Sequence, residues 1–340
     1  MSDRLAILYQ FNEKYVPYAG VSIYSVLYHN KHVSDICIYI MGENLSYDAQ
    51  VQIEQMVSSF QRKVVFIDTE FLVRKMKKLD MPTYRGSYAA NMRLFLDEVL
   101  DESVERILYL DSDTIVTAEL DELLHIDMHG MAVGMVLDSL GFSHKKQIGL
   151  SADDDYYNSG VILYDLWRWR ERGYCGKIVR HILEQRNNYP APDQDLLNIV
   201  CRGDIFRLDA QYNFQPVHGA FSDRLFLKIM RPQVYYNADQ MDEARRKTIV
   251  YHCFRFLGEF PWHVGNRHPF GKVFDRYLRY SPWRDYNKRK ANAGVIIKIE
   301  KILYRVLPRT VFLPVFKYAH ALFLYQSERD ALKNKTNKLM

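Results

Sequence analysis

Compact apolar runs alternate with amphipathic segments along the first half of the chain. The runs fall at residues 5–9, 36–41, 63–68, 106–110 and 131–137. Continuous apolar runs of this length favour strands that are buried on both faces of a sheet. Helical spacing of apolar residues predicts helices at residues 18–29, 46–60 and 89–96. This order of elements predicts an α/β fold with a doubly wound sheet.

The second half of the chain is less regular. A strand is predicted at residues 161–164, helices near 166–171 and 175–185, and a further helix beginning at Asp193. After Ser281-Pro282-Trp283 the sequence becomes strongly basic. We therefore predict a catalytic domain at residues 1–283 and a C-terminal extension at residues 284–340.

Basic residues are concentrated in the predicted extension. Residues 284–340 carry 13 Lys and Arg against four Asp and Glu, whereas the whole chain carries 46 against 41. Apolar residues at helical spacing and basic residues on another face fill residues 295–307: Val295, Ile299, Ile302, Leu303 and Val306, with Lys298, Lys301 and Arg305. A second apolar run covers residues 311–316 and 322–325, and Lys333, Lys335 and Lys338 follow it. This pattern predicts binding to an anionic membrane surface. The alternative is packing on the catalytic domain or on a second subunit of a homo-oligomer.

Composition and charge exclude several classes of protein. With 340 residues and 48% apolar residues, the chain can bury a large core, so disorder is excluded. The net charge of only +5 argues against a nucleic-acid-binding protein. The first residues lack the pattern of a signal peptide, and no apolar run approaches the roughly 18 residues of a membrane span. We therefore expect a cytoplasmic protein that meets a membrane, if at all, at its inner face.

The cysteine and glycine patterns argue against disulfides, structural zinc sites and two classes of nucleotide-binding enzyme. The four cysteines are far apart in sequence, which predicts buried thiols rather than disulfides or a structural zinc site. None of the 16 glycines forms Gly-x-Gly-x-x-Gly or Gly-x-x-x-x-Gly-Lys. A dinucleotide dehydrogenase and a P-loop nucleotide hydrolase are therefore both disfavoured.

The clearest chemical signal is a pair of carboxylates after the fourth predicted strand. Asp111-Ser112-Asp113 follows residues 106–110 directly. In open α/β sheets, ligands bind at the carboxyl ends of the strands. In the turn after the strand both carboxylates can converge on one hard cation such as Mg²⁺ or Mn²⁺. The alternative is a turn in which these carboxylates only cap backbone N–H groups.

Phosphatases of the haloacid-dehalogenase type also place Asp-x-Asp after a strand. Their motif continues to a Thr two positions after the second Asp, whereas here Thr114 follows Asp113 directly. Their motif also usually opens the domain, while here about a hundred residues precede it. A phosphatase of this type is therefore the second candidate, after a metal-binding site of another class.

Several further segments, in order, resemble glycosyltransferase family 8, which comprises retaining enzymes of the GT-A fold. The likeness runs from about Leu5 to Trp262. The matching segments are Met92-Arg93-Leu94, Leu108-Tyr109-Leu110-Asp111-Ser112-Asp113, Tyr157-Asn158-Ser159-Gly160-Val161, Asp193-Gln194-Asp195-Leu196-Leu197-Asn198 and Asn213-Phe214-Gln215-Pro216. The resemblance implies a GT-A, Rossmann-like fold with a mixed central sheet.

The resemblance also implies ligand-binding roles. It assigns Asp111, Asp113 and His252 to a metal, and the imidazole favours Mn²⁺ over Mg²⁺. It assigns the uracil contact to Tyr15 and Asn12, although Asn12 and Lys14 depart from the family pattern. The residues implied to line the donor sugar and its phosphates are Arg93, Ser112, Asn158, Asp193 and Gln194, with Arg93, Asp193 and Gln194 taking part in catalysis. Asp138 resembles a residue on the acceptor side.

One departure lies after His252, where relatives carry a lysine before Pro-Trp that contacts the leaving diphosphate. Phe260 stands at that position. Arg255 is our candidate for the missing cation, with His263 and Arg267 as alternatives. The family implies a metal-dependent transferase that moves glucose or galactose from a UDP-sugar to a glycan or lipid-linked saccharide hydroxyl in cell-surface polysaccharide synthesis. The alternatives are the phosphatase and a catalytically weakened nucleotide-sugar binding protein.

Overall fold

A seven-stranded sheet forms the centre of the molecule. The structure is a computed structural model and describes residues 4–83, 86–141, 145–185, 189–291 and 294–319. The strands of this sheet and of a two-stranded one are β1 (Arg4–Asn12), β2 (Asp35–Glu43), β3 (Lys63–Ile67), β4 (Arg106–Leu110), β5 (Thr114–Val116), β6 (Val133–Leu137), β7 (Tyr157–Asp165), β8 (Ile205–Arg207) and β9 (Val250–His252).

The large sheet has the order β3-β2-β1-β4-β7-β6-β8. All its neighbouring pairs are parallel except those of β7, which runs antiparallel to both β4 and β6. The predicted α/β fold with a mixed central sheet is therefore confirmed. The five strands predicted in the first half of the chain are all present. Helices cover the sheet and bury the central residues of β1, β2, β4 and β6, whereas Val65 in the edge strand β3 is 42% exposed.

Twelve α-helices are distributed along the described residues. They are α1 (Val16–His29), α2 (Tyr47–Ser59), α3 (Glu70–Lys78), α4 (Asp121–His125), α5 (Leu166–Glu171), α6 (Tyr174–Gln185), α7 (Pro192–Val200), α8 (Pro216–Ala220), α9 (Asp223–Met230), α10 (Ala238–Arg246), α11 (Gly271–Tyr280) and α12 (Val295–Val306). A further helix, which begins at residue 309, reaches residue 319. The hydroxyl of Ser46 accepts a hydrogen bond from the backbone N–H of Ala49 at 3.2 Å, so Ser46 is the N-cap of α2.

The predicted helix at residues 89–96 has a different geometry. Ala89–Glu98 forms 3₁₀ turns with a break at Phe95, whose backbone has φ −126° and ψ 37°. The segment carries seven buried residues, so it is not the half-exposed amphipathic helix that its apolar spacing suggested. Tight packing between β1 and α7 overrides the local preference for an α-helix.

The two-stranded sheet brings a late part of the chain back to the end of β4. Strand β5 follows β4 after a short turn and pairs antiparallel with β9. In this register Thr114 lies opposite His252. Residues separated by more than a hundred positions in sequence therefore meet at one edge of the central sheet.

The described part of the basic extension packs on the rest of the chain. Tyr304 of α12 and Phe312 and Leu313 of the next helix are buried in a cluster with Phe221 and Phe226. The opposite side of α12 is exposed to solvent, with Ile299 51% and Ile302 60% exposed. Residues 320–340, which include the apolar run at 322–325 and Lys333, Lys335 and Lys338, lie outside the described residues. Within the described part of the chain, no helix combines the length and apolar character needed to cross a bilayer.

Candidate active site

Two carboxylates and an imidazole converge at the end of β4. Asp111 and Asp113 flank the turn into β5, and His252 ends β9 opposite them. The His252 Nε2 atom lies 3.2 Å from Asp113 Oδ1 and 3.5 Å from Asp111 Oδ2. One ligand atom from each residue lies within 4.8 Å of the other two. This spacing allows the three side chains to bind one cation.

Gly160 of β7 makes room for the His252 ring. A Cβ atom at residue 160 would lie 2.0 Å from Cε1 and 2.5 Å from Nδ1 of that ring. The Gly160 carbonyl also accepts a hydrogen bond from the backbone N–H of Asp111 at 2.8 Å. The glycine in the matched segment is therefore required by the close approach of an imidazole to the backbone.

A chain of side-chain hydrogen bonds orients His252. Its Nδ1 lies 3.0 Å from Asn213 Oδ1, Asn213 Nδ2 donates to Asn158 Oδ1 at 2.8 Å, and Asn158 Nδ2 donates to Asp138 Oδ2 at 2.8 Å. If His252 donates through Nδ1, its Nε2 presents a lone pair toward Asp111 and Asp113. Polar partners behind a histidine ligand hold it in this way in metal sites.

Arg93 is buried behind the carboxylates. Its Nη2 lies 2.8 Å from Asp111 Oδ1, and its Nη1 donates to the Ser159 carbonyl. Its Nε donates to the Ala90 carbonyl at 3.1 Å and lies 3.5 Å from Asp193 Oδ2. The guanidinium is thus surrounded by protein oxygens. This environment fits a residue that positions Asp111 and Asp193, in addition to the donor contact that the family resemblance implies.

The start of α7 supplies two further polar side chains. Asp193 Oδ2 accepts a hydrogen bond from the Ser159 hydroxyl at 3.1 Å. Gln194 Oε1 accepts from the Ser159 backbone N–H at 3.0 Å, and Gln194 Nε2 lies 3.0 Å from the Tyr156 hydroxyl and 3.4 Å from Asp138 Oδ2. The two residues therefore lie beside the beginning of β7, and Gln194 also approaches Asp138. The acceptor-side and donor-side candidates form one continuous network.

Electrostatic interactions within the site favour the charged forms of Asp111 and His252. Burial alone would raise the pKa of Asp111, but the Arg93 guanidinium and the His252 ring hold it well below its usual range. Burial disfavours the His252 imidazolium, yet the carboxylates of Asp113 and Asp111 raise the pKa of His252 to about 9. Burial raises the pKa of Asp193, and Arg93 opposes this only in part. A cation that binds here takes the place of the proton on His252.

The candidates for uracil binding lie at the end of β1. The Tyr15 ring contacts Trp262 edge-on at 6.5 Å between ring centres, and Trp262 follows the loop after His252. Asn12 accepts a hydrogen bond from the backbone N–H of Lys14 at 3.2 Å. Ser112 is buried and donates to the Gln10 carbonyl at 3.3 Å. The hydroxyl of Ser112 therefore connects the aspartate turn to β1.

The three cation candidates lie on the loop after β9. Arg255 and Arg267 are exposed, and His263 is half-buried with its Nδ1 accepting from the Phe260 backbone N–H at 3.2 Å. The Phe260 ring stacks on Trp262 at 4.5 Å. In the described structure these cations are not in hydrogen-bond contact with Asp111, Asp113 or His252. The aromatic side chain at the family's lysine position thus extends the packing around Trp262.

Asn213 and Gly160 lie in segments that match the family, but the sequence alone assigns them no role. Tyr156 was missed entirely, although its hydroxyl lies 3.0 Å from Gln194 Nε2 and donates to Asp195 at 2.6 Å. Polar or glycine residues inside otherwise apolar segments were the available signal. Their partners come from distant parts of the chain, so the pattern alone could not assign them.

Comparison with known proteins places the chain in a family. The model of "Glycosyl transferase family 8" matches residues 6–264. A lipopolysaccharide 1,2-glucosyltransferase of Escherichia coli K12 is 26% identical over 302 residues, which cover 87% of this chain and 84% of that protein. A lipopolysaccharide 1,3-galactosyltransferase of Salmonella typhimurium LT2 is 23% identical, covering 83% of this chain and 80% of that protein.

Solved structures show the same fold. The galactosyltransferase LgtC, in complex with donor and acceptor sugar analogues, superposes with a TM-score of 0.66 at 22% identity, covering 83% of this chain and 99% of LgtC. The bifunctional glycosyltransferase WbbM superposes with a TM-score of 0.69 at 19% identity. That match covers 85% of this chain but only 52% of WbbM, so the chain spans about half of that protein. These likenesses confirm the GT-A fold expected from the sequence.

Proposed function

The chain belongs to glycosyltransferase family 8, and on this basis we propose that it transfers glucose or galactose from a UDP-sugar to a saccharide hydroxyl. The observation that carries the proposal is the convergence of Asp111, Asp113 and His252 within 4.8 Å. Family membership favours a transferase over the phosphatase alternative. A weakened nucleotide-sugar binding protein is the competing possibility, because Phe260 replaces the family's lysine.

The three converging side chains fit Mn²⁺, with Mg²⁺ as the second choice. Two carboxylates supply hard oxygen ligands, and an imidazole oriented through its other nitrogen supplies a borderline one. A bound cation would neutralise charge on the diphosphate as UDP leaves. Arg93 supports this arrangement because its guanidinium keeps Asp111 ionised and fixed in place.

We favour a front-face substitution that retains the α-configuration. The acceptor hydroxyl oxygen bonds to the anomeric carbon as the bond to the UDP phosphate breaks, and a phosphate oxygen of the leaving group takes the hydroxyl proton. A double displacement would instead need a carboxylate nucleophile on the opposite face of the sugar. Asp193 fits that role poorly because its carboxylate accepts from Ser159 and lies 3.5 Å from Arg93. Gln194, held at both ends of its amide, would stabilise the positive charge that develops on the sugar.

The acceptor is proposed to be a glycan or a lipid-linked saccharide of the cell surface. Two of the relatives named above are lipopolysaccharide glycosyltransferases. Asp138 is the candidate acceptor contact. Its carboxylate accepts a hydrogen bond from the side-chain amide of Asn158 and lies 3.4 Å from Gln194 Nε2. A carboxylate in this position can accept hydrogen bonds from the hydroxyls of an incoming sugar.

The donor assignment predicts metal-dependent release of UDP. The wild-type chain, incubated with UDP-glucose or UDP-galactose and Mn²⁺, should release UDP slowly by hydrolysis and faster when a suitable saccharide is added. Mg²⁺ should support a lower rate, and EDTA should stop the reaction. GDP-mannose serves as the control donor. The released nucleotide is measured directly.

Two results would contradict the donor assignment. Binding of UDP-sugar without any release of UDP would favour the weakened binding protein. Release of phosphate from p-nitrophenyl phosphate, with no UDP release, would favour the phosphatase.

We also propose that α12 docks on the inner, anionic face of the cell membrane. Four apolar residues form one exposed stripe at spacings of four, three and four: Val295, Ile299, Ile302 and Val306. Exposed Lys298 and Arg305 flank this stripe. Burial of the stripe among the headgroups, together with about 1 kcal/mol per basic residue near anionic lipid, would give reversible binding.

Membrane docking is tested with point variants, because a chain ending near Trp283 would uncover Phe221 and Phe256, whose rings pack on Tyr304. The full chain should sediment with vesicles containing phosphatidylserine at low salt and be partly released at high salt. The double variant Ile299→Ser, Ile302→Ser should bind at least about tenfold more weakly. Val65→Ser removes a 42% exposed apolar side chain elsewhere and is the matched control. Equal sedimentation of both variants would dismiss the membrane and leave a second subunit as the partner of α12.

A further inference from the structure

Helix α12 packs against the loop that follows β9. Three of its residues face a hairpin at residues 256–259. A Cβ on Gly258 would lie 2.3 Å from Ile297 Cγ2, Lys301 forms an ion pair with Glu259, and the Tyr304 ring meets the Phe256 ring at 5.6 Å. Ile297, Lys301 and Tyr304 are spaced by four and three residues, so they share one face of the helix. The apolar stripe of Ile299 and Ile302 lies outside this contact.

The hairpin has an unusual backbone. Phe256 and Glu259 exchange two backbone hydrogen bonds of 2.9 Å, and the two residues between them have positive φ angles, 46° at Leu257 and 74° at Gly258. A bulky residue such as Leu is rarely held at positive φ unless its surroundings impose it. Helix α12 contacts this turn at Gly258, where a Cβ would meet the Ile297 side chain.

Glu259 carries a buried carboxylate. It is only 4% exposed. One oxygen pairs with the Lys301 ammonium, and the other accepts from the Arg267 backbone N–H at 3.1 Å. Removing the partner of a buried charge is costly, because the remaining charge is left without solvent or counterion. The pair therefore ties α12 to the hairpin at Glu259, which is itself bonded to the backbone of Arg267.

The same loop forms one wall of the candidate active site. The backbone N–H of Cys253 donates to the Asp113 carbonyl at 2.6 Å, and the Phe254 ring contacts the His252 ring edge-on at 4.8 Å. At its other end Trp262 stacks on Tyr18 at 3.8 Å. A displacement of the hairpin would therefore move groups in direct contact with Asp113 and His252.

We propose that Glu259 and Lys301 are positioning residues, whose ion pair holds the loop at residues 253–262 in the geometry needed for departure of the nucleoside diphosphate. The extension thus contributes to catalysis through its contact with this loop, independently of any membrane. This inference rests on the proposed function, because its kinetic consequence is the rate of UDP release.

The experiment uses the full chain with Mn²⁺ and whichever of UDP-glucose and UDP-galactose is turned over. Lys301→Ala and Glu259→Gln should each lower kcat for UDP release by about 10- to 100-fold, as expected for a small misplacement of reacting groups. KM should change less than about twofold, because the loop acts on the departure of the leaving group more than on donor binding. Lys301→Arg, which keeps the charge, should restore most of kcat. Lys247→Ala, which removes an exposed ion pair with Glu243 at the end of α10, is the matched control and should keep the wild-type kcat.

Amide hydrogen exchange provides a readout that does not depend on activity. In Lys301→Ala, exchange at residues 253–262 should be faster than in the wild type and in Lys247→Ala. Wild-type kcat in Glu259→Gln, unchanged exchange in Lys301→Ala, or failure of Lys301→Arg to restore kcat would each overturn the proposal. If the wild-type chain releases no UDP at all, the donor assignment fails. The exchange rates then still decide whether the ion pair holds the loop.

Discussion

Asp113→Asn is expected to remove nearly all metal-dependent UDP release, lowering kcat by about 10²- to 10⁴-fold. The substitution keeps the size of the side chain but removes one negative charge from the three converging ligands. Asp113 faces His252, whereas the buried guanidinium of Arg93 pairs with Asp111. The melting temperature of Asp113→Asn should therefore stay close to that of the wild type.

Asp111→Asn should be equally inactive but also less stable. The structure shows that Asp111 is an ion partner of Arg93, a residue only 4% exposed. Neutralising Asp111 should lower the free energy of unfolding by about 1–3 kcal/mol. The loss is limited because Asp193 remains as a second partner of Arg93.

A second group of carboxylates on the surface provides the control. His32, Glu119 and Asp121 also bring ligand atoms within 4.8 Å of one another, but His32 and Glu119 are exposed. Asp121→Asn should leave metal-dependent activity unchanged. Activity near the wild-type level in an Asp111→Asn, Asp113→Asn double variant would refute the metal site.

Gly160→Ala is expected to reduce activity at least about 100-fold, even though it adds only one methyl group. The new Cβ would overlap the His252 ring at 2.0 Å, so the ring must leave its place beside Asp113. A displacement of this size in a catalytic group has a large effect on rate. Overpacking should also lower the free energy of unfolding by about 1–3 kcal/mol.

Gly176→Ala is the matched control for Gly160→Ala. Gly176 lies in α6, and a Cβ there would meet no atom within 4 Å. This substitution should leave kcat unchanged and keep or slightly raise the melting temperature, because alanine favours the helix. Mn²⁺ affinity, measured by calorimetry, should fall in Gly160→Ala only. Equal kcat in the two variants would show that His252 takes no part in the reaction.

The sequence by itself located six of the seven strands of the central sheet and fixed the order of the site segments along the chain. Apolar runs located the strands because a strand buried on both faces has few polar positions. The Asp111-Ser112-Asp113 motif, with the further segments in the order of family 8, indicated the family and the GT-A fold, both confirmed by the comparisons. The roles assigned to individual site residues stay predictions, although most of those residues meet in one network.

Only the tertiary structure decided which distant residues meet. The pairing of β5 with β9 brings His252 to Asp113, and the antiparallel β7 brings Gly160 beneath the His252 ring. Local hydrophobic patterns report whether a residue is buried but not which strand or side chain lies next to it. The 3₁₀ geometry at Phe95 and the Glu259–Lys301 pair have the same origin, since both arise from packing between segments far apart in sequence.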